Sequence, residues 1–164
     1  MYKVGDYVVY KRDICKVEDI TRIERFNKDY YILCSVLDDS LKIKVPVDNE
    51  VGYIRSIITK EEAENLINNI PNIDIIKVDD KLIENEYRSL LNSNDLNNLI
   101  KVIKTTYLRN DNRTKNGKKI GEKDNEYFNK AEKLLYTELS LVLNMSYNDV
   151  KNYIYEKVDE LLTK

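Results

Sequence analysis

The sequence contains no histidine and no tryptophan, and only two cysteines, two prolines and four glycines among its 164 residues. Without histidine, a Ser-His-Asp or Cys-His catalytic arrangement is excluded. The four glycines are widely separated, so no glycine-rich phosphate loop is present. Cys15 and Cys34 lie in apolar, strand-like runs, which favours two buried thiols over a disulfide. We therefore expect no catalytic residue, no metal site and no cofactor.

Long apolar runs are also absent. No stretch of 18 apolar residues occurs, so the sequence predicts no membrane-spanning helix and no membrane contact. The first residues lack the apolar run and the small-residue cleavage site of a signal peptide. We therefore expect a cytoplasmic protein.

The first 58 residues predict a β unit. Runs rich in β-branched and aromatic residues are separated by turn signals about every ten residues. The clearest strand covers residues 41–47, where apolar side chains alternate with Lys42, Lys44 and Pro46, as expected when one face is buried. A fifth strand is predicted over residues 51–58. Short strands at this spacing favour a small barrel or a strongly bent sheet.

From Thr59 onward the apolar periodicity is helical. Thr59 and Glu62 have the spacing of a capping box, and Pro71 ends the first helix. Further helices are predicted over 79–91, from Ser93–Asp95 to about Arg109, over 124–144, and from Ser146 to the end. The polar segment 110–123, which contains two glycines, predicts a mobile loop.

The order of these elements predicts an α+β fold with two segregated units. A small bent β-sheet or barrel occupies residues 1–58, and an all-α domain of about five helices occupies residues 59–164. Pairs of acidic residues occur near the starts of the predicted helices, where the helix dipole favours carboxylates without any catalysis. A hydrolase using these acids is the enzymatic alternative, and the prediction is a protein that is not an enzyme.

Positive charge is concentrated in one part of the helical half. Residues 96–123 carry eight basic and two acidic groups, whereas residues 61–95 carry three basic and nine acidic groups. Helical spacing predicts an apolar stripe from Leu96 to Tyr107, with the cations on the opposite side. The candidate phosphate contacts are Lys101, Lys104, Arg109, Arg113, Lys115, Lys118 and Lys119. Closely spaced cations favour phosphate binding through counterion release. The alternative is an ordinary solvated helix face followed by a soluble loop.

A series of short motifs runs in order along the chain. In the β half they are K-V-G-D-Y-V-V-Y at 3–10, Y-Y-I-L at 30–33, L-K-I-K-V-P-V-D-N at 41–49 and V-G-Y-I-R at 51–55. In the helical half they are L-L-N-S-N-D-L at 90–96, G-E-K at 121–123 and the pattern of Ala131, Leu134, Leu135, Glu138 and Leu139. Together they resemble the CarD-type transcription regulators of bacteria over nearly the full chain.

The resemblance implies a Tudor-like N-terminal domain that binds the RNA polymerase β subunit, and a helical domain that touches promoter DNA. The family's basic residue in the polymerase-binding strand falls on Lys44, and an arginine of relatives falls near Ile23, beside Arg22. Contact is expected at the exposed face and edge of the fourth strand. The implied polymerase-binding residues are Arg22, Lys42, Lys44, Val45 and Pro46. No small-molecule substrate is expected.

One departure from the family concerns the DNA-contacting half. Many relatives carry a tryptophan just before or within the second helix, as a wedge against DNA, and the matching positions here are about Asp80 and Lys81. Lys81 can reach a phosphate, while Leu82 and Tyr87 are expected to pack inward. We therefore predict weak DNA binding without sequence preference and less stabilisation of open promoters than Trp-bearing relatives give. The alternative is a divergent relative that binds polymerase or another protein but not DNA.

Overall fold

The computed structural model describes residues 1–49 and 52–162. The chain divides into two compact units, Met1–Ile57 and Ile58–Lys164. Each unit has its own hydrophobic core. All five strands lie in the first unit, the β unit, and all five α-helices lie in the second, the helical unit. The predicted α+β class, with strands first and about five helices after them, is confirmed within the described residues.

The β unit is a five-stranded antiparallel sheet with the order β4-β3-β2-β1-β5. The strands are β1 (Tyr7–Tyr10), β2 (Asp13–Ile23), β3 (Lys28–Ser35), β4 (Lys42–Pro46) and β5 (Ile54–Ser56). Strands β4 and β5 form the two edges. The register of β2 against β3 shifts between Val17 and Asp19, and such a bulge bends and twists a strand. The predicted fifth strand began at Val51, which lies outside the described residues; β5 begins at Ile54.

Alternation along the strands builds the core of the β unit. Its buried members are Val8, Cys15, Val17, Tyr31, Leu33, Val45 and Ile54. In β4, Val45 is buried and Ile43 is half-buried, whereas Lys42 and Lys44 are exposed. Because side chains point to opposite faces in turn, β4 presents its cations on one face and its apolar residues on the other, as predicted.

The helical unit contains α1 (Lys60–Asn69), α2 (Asp80–Leu91), α3 (Leu96–Lys115), α4 (Glu122–Leu143) and α5 (Tyr147–Leu162), with a short 3-10 helix at Ile70–Asn72. The predicted capping box is present. The Glu62 amide donates to the Thr59 hydroxyl, and the Thr59 amide donates to the Glu62 carboxylate, both at 3.1 Å. Within residues 1–49 and 52–162, no helix is both long and apolar enough to span a bilayer.

Helix α3 is longer than predicted. It continues past Arg109 to Lys115, so the mobile loop expected over residues 110–123 is wrong for its first part. Lys115 pairs with Asp111 at 2.8 Å, one helical turn away, which supports the polar last turn. Gly117, at a φ of 71°, then takes the left-handed conformation that commonly follows a helix end. The segment between α3 and α4 is therefore a short turn of residues 116–121.

The buried face of α3 also differs from the predicted stripe. Tyr107, assigned to the apolar stripe, is 62% exposed, whereas Thr105 and Thr106 are buried. Helix α3 packs against both α2 and α4, so its buried surface is set by two neighbours rather than by a single apolar stripe. The two threonine hydroxyls donate to carbonyls of the preceding turn at 2.7 Å, which satisfies them without solvent.

Candidate functional site

Strand β4 forms an edge of the sheet, and within residues 1–49 and 52–162 it pairs only with β3, which leaves the other side of its backbone open there. An open edge of this kind can accept a strand from another protein. Pro46 ends β4 and has no amide hydrogen to donate, which restricts the length of edge available for such pairing.

Two lysines project from the exposed face of β4 and have different surroundings. The Lys42 ammonium lies 3.0 Å from the Glu18 carboxylate on β2, and this hydrogen bond raises the pKa of Lys42. Lys44 is exposed and has neither a hydrogen bond nor an ion pair within residues 1–49 and 52–162. Lys44 is therefore the cation of β4 that is available to a partner.

The remaining predicted polymerase-binding residues have mixed accessibility. Val45 is only 7% exposed and packs in the core, so its side chain is not part of the surface. Arg22 pairs with Glu24 at 3.5 Å and with Asp29 at 3.3 Å, and it also donates to Asn27. Pro46 is half-buried, and Tyr30 is its pairing partner on β3. Alternation turns the Val45 side chain inward, so Val45 stays a predicted polymerase-binding residue only through its backbone at the strand edge.

Arg109 is held within the helical unit by two carboxylates. Its guanidinium lies 3.0 Å from buried Asp124 on α4 and 2.8 Å from exposed Asp80 on α2. The Tyr87 hydroxyl also donates to Asp124, at 2.7 Å, and burial followed by this hydrogen bond raises the pKa of Tyr87. Because these groups connect α2, α3 and α4, Arg109 stabilises the unit and is not a free phosphate ligand.

Lys104 also has its hydrogen-bond partners within the helical unit. Its ammonium donates to the backbone carbonyls of Ile70 and Ile73, at 2.8 and 2.5 Å. Burial lowers the pKa of Lys104. These carbonyls lie in and just after the 3-10 helix, where the lysine satisfies acceptors left at a helix end. The sequence placed Lys104 on a solvated face, and the structure corrects that placement.

The accessible cations cluster at the end of α3 and in the turn after it. Lys118 and Lys119 are exposed in the turn. Arg113 is exposed and donates to the Lys119 carbonyl at 2.8 Å, and exposed Lys115 pairs with Asp111. We call these residues, Arg113, Lys115, Lys118 and Lys119, the basic turn. The helix dipole favours cations at this C-terminal end.

Besides Lys104 and Arg109, two more predicted DNA contacts lie outside the basic turn. Lys101 is half-buried on α3, near the start of that helix, and Lys81 is exposed in the first turn of α2. Beside Lys81, Leu82 is 55% exposed, so its predicted inward packing is wrong, whereas Tyr87 is fully buried as predicted. The structure therefore brings four of the eight predicted cations together and leaves the others apart.

The family comparison concerns the β unit. Residues 2–58 match the family model of the CarD-like/TRCF RID domain. The β unit is a CarD-type RNA-polymerase-interacting domain. No curated protein matches the chain significantly. The matched segment ends at the first residue of the helical unit, so residues 59–164 lie outside it.

The RID domain type belongs to a non-enzymatic, polymerase-interacting family. Among residues 1–49 and 52–162, no cluster of three or more histidine, cysteine or acidic side chains could hold a metal ion. The surfaces described above are an open strand edge, an exposed lysine and a basic turn. Each of these is suited to binding another macromolecule.

The two thiols of the RID domain should react at very different rates. Cys15 is fully buried, and burial raises its pKa to about 12, whereas Cys34 is half-buried on the face that carries Lys42. Since the thiolate is the reactive species, Cys34 should be modified first and Cys15 only after unfolding. Timed labelling with a maleimide, followed by peptide mass analysis, measures this. Equal labelling of both thiols in the folded protein would contradict the assignment.

Proposed function

We propose that this chain is a transcription regulator of bacteria that binds the RNA polymerase β subunit through its RID domain and promoter DNA through its helical unit. The observation that carries the proposal is the RID match over residues 2–58, on a domain with an open edge strand and an exposed Lys44. In this role the protein is a cytoplasmic adaptor and not an enzyme.

The polymerase contact is assigned to β4. A strand of the β subunit pairs with the open edge through backbone hydrogen bonds, and Lys44 adds attraction to an acidic residue of that partner. Lys42 is held by Glu18 and contributes less, while Arg22 lies on β2 among its own acidic partners. The side chain of Val45 acts only by fixing the position of β4 from the core side.

Charge reversal at Lys44 tests this contact. Lys44→Glu should weaken binding to the β subunit about tenfold, because it replaces attraction by repulsion at the interface. At an exposed strand position the fold should lose only about 0.5 kcal/mol. Calorimetric titration of the full chain with the isolated β subunit measures the affinity.

The matched control for this test is Arg12→Glu. Arg12 is exposed in the turn between β1 and β2, away from β4 in the sheet order, and has no ion pair among the described residues. The charge change is the same, so Arg12→Glu should leave the affinity unchanged. Equal weakening by both variants, or none by Lys44→Glu, would show that β4 is not the contact.

DNA contact is assigned to the basic turn. Lysine meets phosphate as a point charge and does not read base edges, so binding is weak, salt-sensitive and independent of sequence. We no longer propose Lys104 and Arg109 as DNA contacts, because both have partners within the helical unit. Tighter contact with the open promoter than with the closed one shifts that equilibrium and so modulates open-complex stability.

Removing two charges from the basic turn tests this assignment. Lys118→Gln with Lys119→Gln should reduce the salt slope of duplex DNA binding by about 2 on the log scale, one unit for each lost phosphate contact. The control is Lys151→Gln with Lys157→Gln on α5, which removes the same charge elsewhere on the unit. A slope that falls equally for both pairs would contradict a localised contact.

A second candidate function is a protein-binding module that occupies polymerase without touching DNA. Two observations favour it: Arg109 and Lys104 are both engaged internally, and the whole chain has a formal net charge of −2. The salt titration distinguishes the two functions. Under this candidate, wild-type protein shows no DNA binding even at low salt, while Lys44→Glu still weakens binding to the β subunit.

A further inference from the structure

The helical unit contains a cavity of about 660 Å³ that the surfaces described above do not use. It lies between α3, α4 and α5, next to the 3-10 helix, and its walls include Ile100, Ile103, Leu135, Ile154 and Val158. The volume falls within the range of about 300–1,000 Å³ that is typical of small-molecule sites. Mostly apolar walls with a few polar groups are also typical of such sites.

One oxygen of a buried carboxylate at this cavity has no hydrogen-bond partner among the described residues. Glu132 on α4 lines the cavity and is 7% exposed. Its Oε2 atom is shielded from solvent and, within the described residues, accepts no hydrogen bond. Burying a polar group without a hydrogen bond is unfavourable, and the penalty is larger for a charged group.

The other buried carboxylates of the helical unit show the usual arrangement. Asp124 accepts from both Tyr87 and Arg109. Glu138, which is 1% exposed, accepts from the Ile58 amide at 3.0 Å. The open acceptor at Glu132 is therefore a property of the cavity and not a general feature of this unit.

The groups around Glu132 leave it without a compensating cation. Lys104 also lines the cavity, but its ammonium is engaged by the carbonyls of Ile70 and Ile73. Asp159, an exposed lining residue, adds a second negative group. Burial, followed by the charge of Glu132, raises the pKa of Tyr136 and of Tyr147, so both phenols stay protonated. The Tyr136 side chain also hydrogen-bonds with Glu132 and with Tyr155, which leaves Oε2 as the open oxygen of the Glu132 carboxylate. The site thus combines negative charge with apolar and aromatic walls.

We infer that this cavity binds a small amphipathic amine, whose ammonium group pairs with the Glu132 carboxylate and whose apolar body fills the space between α3, α4 and α5. The positive charge of the ligand compensates the buried carboxylate, and a hydrogen bond between charged groups is stronger than a neutral one. The exposed ring of Tyr107 lines the same cavity and offers an aromatic face to a cation as it enters.

Three probes with one apolar body test the inference on the full chain. 4-Phenylbutylammonium carries the cation, 4-phenylbutanol is its neutral match and 4-phenylbutyrate its anionic match. The amine should bind about tenfold more tightly than the alcohol, and the carboxylate should show no binding, because only the amine pairs with the carboxylate. Ligand-observed NMR measures the affinities, and intermolecular contacts to the Ile103 and Leu135 methyl groups locate the site.

Glu132→Gln supplies the decisive comparison, since it keeps the shape of the side chain and removes its charge. The variant should bind amine and alcohol with similar affinity. Glu156→Gln, at an exposed position on α5 outside the cavity lining, should keep the wild-type preference. Circular dichroism confirms that each variant is folded.

Three results would overturn the inference. One is equal binding of amine and alcohol by wild-type protein, or no binding of any probe at millimolar concentration. Another is an amine preference that persists in Glu132→Gln. The third is amine binding without NMR contacts to Ile103 or Leu135. Since the wild-type probe comparison is independent of the variant, the inference stays testable even if Glu132→Gln fails to fold.

Discussion

Replacing Asp124 by alanine should lower the free energy of unfolding of the helical unit by about 1–3 kcal/mol, the range found when a buried donor loses its hydrogen-bond acceptor. Asp124 is 6% exposed and accepts hydrogen bonds from Tyr87 and Arg109. Its loss leaves the fully buried Tyr87 hydroxyl without its acceptor and Arg109 with only an exposed carboxylate. Denaturant unfolding followed by helical circular dichroism measures the change.

Asp80→Ala is the matched control for this prediction. Asp80 pairs with the same guanidinium at 2.8 Å, but its side chain is 84% exposed. An exposed ion pair contributes only about 0–1 kcal/mol, because solvent screens the charges. The two variants should therefore differ severalfold in their effect on stability. Similar losses of stability in Asp124→Ala and Asp80→Ala would mean that burial does not decide how much each carboxylate of this network stabilises the unit.

Leu33→Ala should unfold the RID domain while the helical unit stays folded. Leu33 is fully buried in the core of the β unit, and a leucine-to-alanine change in a core costs about 2–5 kcal/mol. A domain of fewer than about 60 residues is only marginally stable, so a loss of this size is enough to unfold it. Because the helical unit has its own core, its signals should survive.

Two measurements follow the two units separately. The methyl NMR signals of Val17 and Val45 report on the β unit, and those of Leu135 and Leu139 report on the helical unit. Under the proposed function, binding to the polymerase β subunit should disappear with the NMR signals of the β unit. Leu37→Ala is the control, because Leu37 is 44% exposed and its truncation removes little buried surface. Loss of both sets of signals in Leu33→Ala would show that the units do not fold independently.

The sequence predicted the broad organisation of this fold because its patterns are local. Strict alternation in β4 requires only neighbouring residues, and the Thr59 capping box depends on a spacing of three. The RID resemblance rested on motifs that follow the strands in order, and the family match over residues 2–58 bears it out. Each of these signals is carried by residues that are close together in the sequence.

The incorrect predictions concern residues whose surroundings are formed by elements distant from them in the sequence. Lys104 satisfies carbonyls about thirty residues earlier in the chain, and Arg109 pairs with acids on two other helices. Helical spacing alone placed both on a solvated face. The polar composition of residues 110–115 suggested a loop, although the Asp111–Lys115 pair supports a last helical turn. The cavity at Glu132 had no sequence signal, because three separate helices enclose it.

The lysines of β4 also affect whether the β4 strands of two copies of this protein can pair. An open edge strand is a template for any extended chain, including the same strand of a second molecule. If two β4 strands paired antiparallel about their midpoint, Lys44 of one copy would lie opposite Lys44 of the other, and like charges directly opposite each other destabilise a strand pair. The charge that the proposed function assigns to partner binding therefore also disfavours this pairing of two copies of β4.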